Sequence, residues 1–157
     1  MTNDFIYRLT GTGWADVTFS NENQTITFEA SYLNDPLSDL YDSLLRLIQN
    51  ESNSELILFV EEPGEHSLLL TKTENGNLQI EIYWNQEWEE FYPDTQKQDI
   101  KKELVYSDID TLDNLTSSII KGTKNLLAAV SLEEYKDQWH LYEFPLKSFQ
   151  ALQLAII

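Results

Sequence analysis

The sequence predicts an α+β domain, an antiparallel meander sheet of five or six strands with helices packed on it, in the order β-β-α-β-β-β-(β)-α-α-α. Three observations predict it: an alternating hairpin early in the chain, a stretch with apolar residues at three-and-four spacing after it, and a run of strands punctuated by tight-turn residues. Strands that follow one another through short turns pair antiparallel, and helices then cover a face of the sheet.

The elements follow in order. Ala15, Val17 and Phe19 alternate with Asp16, Thr18 and Ser20, and Ile26, Phe28, Ala30 and Tyr32 alternate with Thr27, Glu29 and Ser31. Side chains along a strand point alternately to its two faces, so this pair reads as a hairpin with one wet face. Gly11-Thr12-Gly13 ahead of it reads as a flexible entry, since it lacks the third glycine and the preceding strand of a phosphate loop. Asn34-Asp35-Pro36 opens a helix, an Asn or Asp cap before a proline whose missing N–H costs nothing at the first position. Leu37, Leu40, Tyr41, Leu44, Leu47 and Ile48 then form one apolar stripe.

Three strands come next, Leu56 to Glu61, Ser67 to Thr73 and Leu78 to Trp84, joined by Glu62-Pro63-Gly64-Glu65 and by Asn75-Gly76, a pair suited to the positive φ angles of a hairpin turn. The continuous runs Leu56–Val60 and Leu68–Leu70 are expected of central strands covered on both faces. Residues 85–100 read as a loop, and Lys101 to Ser107 as a further strand through Leu104, Val105 and Tyr106. Asp110 or Thr111 caps a long helix carrying Leu112, Leu115, Ile119, Leu126 and Val130, in which Gly122 is a weak point of about 1 kcal/mol relative to alanine. Ser131-Leu132-Glu133-Glu134 is a capping box for a short helix, and Pro145 starts a terminal one.

The 157 residues suit one domain, 1–157, with enough apolar and aromatic side chains (four Trp, eight Tyr, seven Phe) to fill a core. Without cysteine there is no disulfide framework, thiolate metal site or cysteine nucleophile, which fits a reducing cytoplasm. No apolar run is long enough for a signal peptide or a membrane span. With 27 acidic and 10 basic side chains the net charge is −17. That field repels nucleic-acid phosphates and anionic membranes and favours encounter with a basic protein; it also fits a surface charged merely for solubility.

Residues 81–94 interleave aromatics with carboxylates, and Glu81, Trp84, Glu87, Trp88, Glu89, Glu90, Tyr92 and Asp94 are the candidate partner-binding residues. Exposed aromatics would supply contact area and the acids would select basic partners. The competing structural reading turns Trp84 and Phe91 into the core and leaves the acids as a solvated face. Glu61, Glu62, Glu65 and His66 crowd one turn, but strand neighbours point to opposite faces, so no metal site is expected. Asp108-Ile109-Asp110-Thr111-Leu112-Asp113 starts like a calcium loop yet has Asp113 at the required glycine and Ile119 at the bidentate glutamate. His66 and His140 lie near no nucleophile elbow and no second imidazole at metal spacing. No catalytic residue and no cofactor is assigned.

Glu134-Tyr135-Lys136-Asp137-Gln138-Trp139 with Phe144-Pro145, together with Gly11-Thr12-Gly13-Trp14-Ala15 and Glu61-Glu62-Pro63-Gly64, resembles small acidic bacterial proteins of uncharacterised function. The resemblance implies a bacterial cytoplasmic protein with a shared packing scheme, and it brings no catalytic residues. Physically, Tyr135 and Trp139 are one helical turn apart and form an aromatic pair.

The expected function is a non-enzymatic acidic protein-binding domain, an immunity- or antitoxin-like inhibitor of a basic partner. The alternatives are a small-molecule or carbohydrate-binding domain, a carboxylate-dependent hydrolase, and a homodimeric structural protein joined through an apolar strand edge.

Overall fold

The computed structural model describes residues 3–88 and 101–156. Three strands, β1 (Asp4–Gly11), β2 (Trp14–Ser20) and β3 (Thr25–Ser31), precede α1 (Pro36–Ile48). Four more, β4 (Ser54–Val60), β5 (Glu65–Lys72), β6 (Leu78–Asn85) and β7 (Lys102–Asp110), are followed by α2 (Leu112–Ala129), α3 (Leu132–Trp139) and α4 (Leu146–Ala155). The strands form two antiparallel sheets, β1-β2-β3 and β4-β5-β6-β7, where the sequence predicts one meander of five or six strands. Helix α1 separates β3 from β4, so no tight turn sets them side by side. Side-chain packing joins them instead: the Phe28 ring of β3 stacks on His66 of β5 (centroids 4.3 Å apart) and meets Phe59 of β4 edge-on at 5.2 Å.

Strand β1 is an addition to the predicted elements. Phe5 and Tyr7 are buried while Asp4, Ile6 and Arg8 face solvent, the period of two that a half-buried strand demands. Gly11–Gly13 is therefore a turn between two paired strands and not a free entry. Gly13 has φ +78°, the Tyr32 ring lies where its Cβ would be, and its N–H donates to the Gln138 carbonyl of α3 (2.5 Å). The outward face of the β2–β3 hairpin is polar as predicted, with Asp16 bridged by Arg8 of β1 (3.0 Å) and Thr18 bonded to Thr27.

In the second sheet the register aligns Ile57, Leu68, Ile82 and Tyr106 in one inward row. The outward face is only partly covered, since Leu56 and Leu104 are exposed and Leu58 and Leu69 half-buried. The strand predicted at Lys101–Ser107 runs on to Asp110, with an irregularity opposite Ile82 and Tyr83 that lets Val105 shift the register.

Thr111 is the α2 cap, its hydroxyl accepting the Asn114 N–H at 3.1 Å, and Ser131 and Glu134 complete the capping box of α3. Asp35 is the N-cap residue of α1, and Pro36 holds its first turn. Pro145 is the α4 cap residue, and Phe149 and Leu152 are the buried residues of that helix. Helix α2 lies so close to β1 that a Cβ on Gly122 would run into the Phe5 carbonyl and ring. A single core cluster links the inner faces of both sheets to Leu37, Leu40, Tyr41 and Leu44 of α1, Leu115 and Ile119 of α2, Tyr135 and Trp139 of α3, and Phe149 of α4. No helix among the described residues is long and apolar enough to cross a membrane.

Candidate functional site

Two features come forward, one at an end of the second sheet and one where α1 meets the α3–α4 connection. At the first, Trp84 of β6 sits in register between His66 of β5 and Glu103 of β7. Its ring lies 5.0 Å from His66, and the Trp84 indole fills the space beneath Gly64, whose φ of +85° and missing Cβ permit that approach. Trp88 closes the same turn from another side, its indole N–H shared between the carbonyls of Glu61 (2.8 Å) and Gly64 (2.7 Å). The His66 ring pairs through Nδ1 with the Glu61 carboxylate.

The two tryptophans of the candidate set thus converge on the Glu61–Gly64 turn, both half-buried, with Glu62, Glu87 and Glu103 exposed around them. A groove of about 290 Å³ beside Trp84 is lined by Gln86, Lys101, Lys102 and Glu103. Glu81 does not join this group. It lies on the opposite face of β6, where it accepts a hydrogen bond from the Tyr83 hydroxyl (2.9 Å) and so raises that phenol's pKa. Glu89, Glu90, Tyr92 and Asp94, with Phe91, lie outside the described residues. Of the acids near the turn, Glu65 at the start of β5 is buried, and Glu62, in the turn between β4 and β5, is exposed. Among the described residues no three His, Cys, Asp or Glu side chains are arranged to hold a metal ion.

The false calcium loop is a structural knot. Asn3, itself buried, donates to Asp108 and to Asp110 (2.9 Å each) and accepts from the Tyr106 hydroxyl, while Asp110 also receives the Asn114 side chain (2.9 Å). These amides satisfy the carboxylates and tie the start of β1 to the β7–α2 corner.

The second feature has a sequence signal that a helix cap conceals. Asp35 lines an open groove of about 540 Å³ together with Ser38, Tyr142, Glu143, Phe144 and Lys147. Its Oδ1 is buried and has no hydrogen-bond partner among the described residues, and the buried hydroxyls of Tyr7 and Tyr135 and the indole N–H of Trp139 are likewise unpaired among them. Burial pushes the Asp35 carboxyl up to about 6, the Ser38 backbone N–H opposes this in part, and Asp39 and Asp42 add to the rise. Burial, and then the nearby Asp35, also holds the Tyr135 phenol well above its usual range.

An acid whose folded pKa exceeds the unfolded value of 3.8 binds its proton more tightly when folded. The contribution is therefore kept below about pH 4 and lost as pH rises through 6, where the carboxylate ionises in a poorly solvated place. Because the group is partly exposed, screening reduces the effect to about 1–2 kcal/mol. Asp35→Asn is expected to stabilise the protein by that amount at pH 7.5 and by almost nothing at pH 4, measured by urea unfolding at both values; equal effects at the two values would contradict the assignment.

No known family model, curated protein or solved structure matches the chain.

Proposed function

We propose that this chain is a non-enzymatic, acidic protein-binding domain of the immunity or antitoxin kind, acting in the cytoplasm by covering a basic surface of its partner. In this reading it belongs with the small acidic bacterial proteins that it resembles. The observation that carries the proposal is the pairing of a −17 charge with a half-buried tryptophan pair at one sheet end, Trp84 and Trp88, near the exposed acids Glu62, Glu87 and Glu103, with Lys101 and Lys102 on the groove beside Trp84. Internal ion pairs such as Arg8–Asp16, Arg46–Glu55 and Lys136–Glu143 neutralise only a few of the 27 carboxylates. The remainder generates a field that speeds association with a cationic surface, and aromatic area at the patch centre slows dissociation.

Affinity capture from the native cell at low salt, followed by rate measurements on the captured protein, tests this. A basic partner is expected, with an association rate that falls about tenfold or more between 20 and 200 mM salt. Glu62→Gln combined with Glu87→Gln should slow association, and Trp88→Ala should speed dissociation. Capture of no basic protein, or binding indifferent to salt, would end the proposal.

A further inference from the structure

From the Asp35 groove we infer a specific recognition site, resting on the reading above: it receives an arginine side chain projected by the basic partner. Three properties of the groove match a guanidinium. Asp35 on its lining is a half-buried carboxylate with no cationic partner among the described residues, and its Oδ1 accepts no hydrogen bond from them. Tyr142, half-buried on the same lining, offers aromatic surface on which a planar cation stacks. The surroundings are acidic, with Asp39 and Asp42 on α1 and Glu143 at the groove.

Two of the basic groups nearby are already engaged, and a third shares the groove. Arg46 is held by Glu55 at 2.6 Å, Lys136 pairs with Glu143 at 3.1 Å, and Lys147 is exposed on the groove lining. The alternative occupant, an anion drawn to the first turns of α1 and α4, would face Asp35, Asp39 and Glu143 at close range. A carboxylate that already bears the cost of desolvation without a partner gains most from a cation that arrives with its own hydrogen-bond donors. A buried charge pair of this kind is where interface energy concentrates.

The probe is the peptide Gly-Gly-Arg-Gly-Gly, titrated at low salt into the ¹⁵N-labelled full chain, with the citrulline peptide as a neutral isostere. Saturable shifts are expected for the amides of Ser38, Tyr142, Phe144 and Ser148 with the arginine peptide and not with citrulline, and Asp35→Asn should weaken binding about tenfold. Shifts scattered over the exposed acids, equal binding of citrulline, or an unchanged affinity in Asp35→Asn would overturn the assignment. Spectral dispersion reports whether Asp35→Asn is folded, and Tyr142→Ala, which leaves the carboxylate in place, should weaken the same shifts independently. The captured basic partner separates the two proposals. If Asp35→Asn binds it as tightly as the parent chain does, the groove assignment falls and the basic-partner reading stands. If no basic partner is captured while the arginine peptide docks at Asp35, the reverse holds.

Discussion

Truncating Trp139 to alanine is expected to cost about 3–5 kcal/mol, the range for removing a fully buried tryptophan. Trp139 is 0% exposed and lies edge-on to Tyr7 of β1 at 6.2 Å and beside Tyr135 at 6.3 Å. It fastens the end of α3 onto the first sheet, one residue after the Gln138 carbonyl that receives the Gly13 N–H. Domains of this size hold about 5–15 kcal/mol in total, so the variant should melt on the order of 10 °C lower. Trp139→Phe is a sharper comparison. The indole N–H has no partner, so phenylalanine gives up ring area without breaking a hydrogen bond and should cost only about 1 kcal/mol. Thermal and urea unfolding of both variants check this, and a phenylalanine variant as damaged as the alanine one would show that the N–H is bonded after all.

Replacing Gly122 with alanine is expected to destabilise the fold by about 1–3 kcal/mol, although helix propensity by itself predicts a gain of about 1 kcal/mol. The two effects have opposite signs, so one urea titration decides between them. The new methyl group would meet the Phe5 carbonyl and ring, and a backbone atom cannot swing aside as the tip of a long side chain can. Either α2 lifts from β1 or Phe5 moves within a core where it already packs on Phe19 at 5.2 Å. An alanine variant at least as stable as the parent would mean that α2 does not sit this close to β1.

The acid–aromatic patch was half legible. Interleaving in 81–94 singles out Trp84 and Trp88, and both meet at the Glu61–Gly64 turn. Proximity along the chain groups Glu81 with them, but three residues along a strand reverse the face, and the tyrosine two residues away holds it on the other side. Asp35 is concealed for a different reason. Asn-Asp-Pro before an apolar stripe is an ordinary helix start, and only the α3–α4 connection, more than 100 residues later in the chain, turns that position into the edge of a groove.

What the sequence determined by itself was local: the polar outer face of the first hairpin, the apolar stripe of α1 and the Ser131 capping box, because alternation, helical spacing and capping chemistry act over a few residues; the turn at Asn75-Gly76 has positive φ at Gly76 alone and not at both residues. What only the tertiary structure decided was how those pieces meet. Two sheets replaced one meander because Phe28 packs on Phe59 and His66 through side chains and not through a backbone ladder. Gly122 became a contact point instead of a weak link because β1 lies against α2. Such outcomes depend on pairs distant in sequence, whose distances no local pattern encodes.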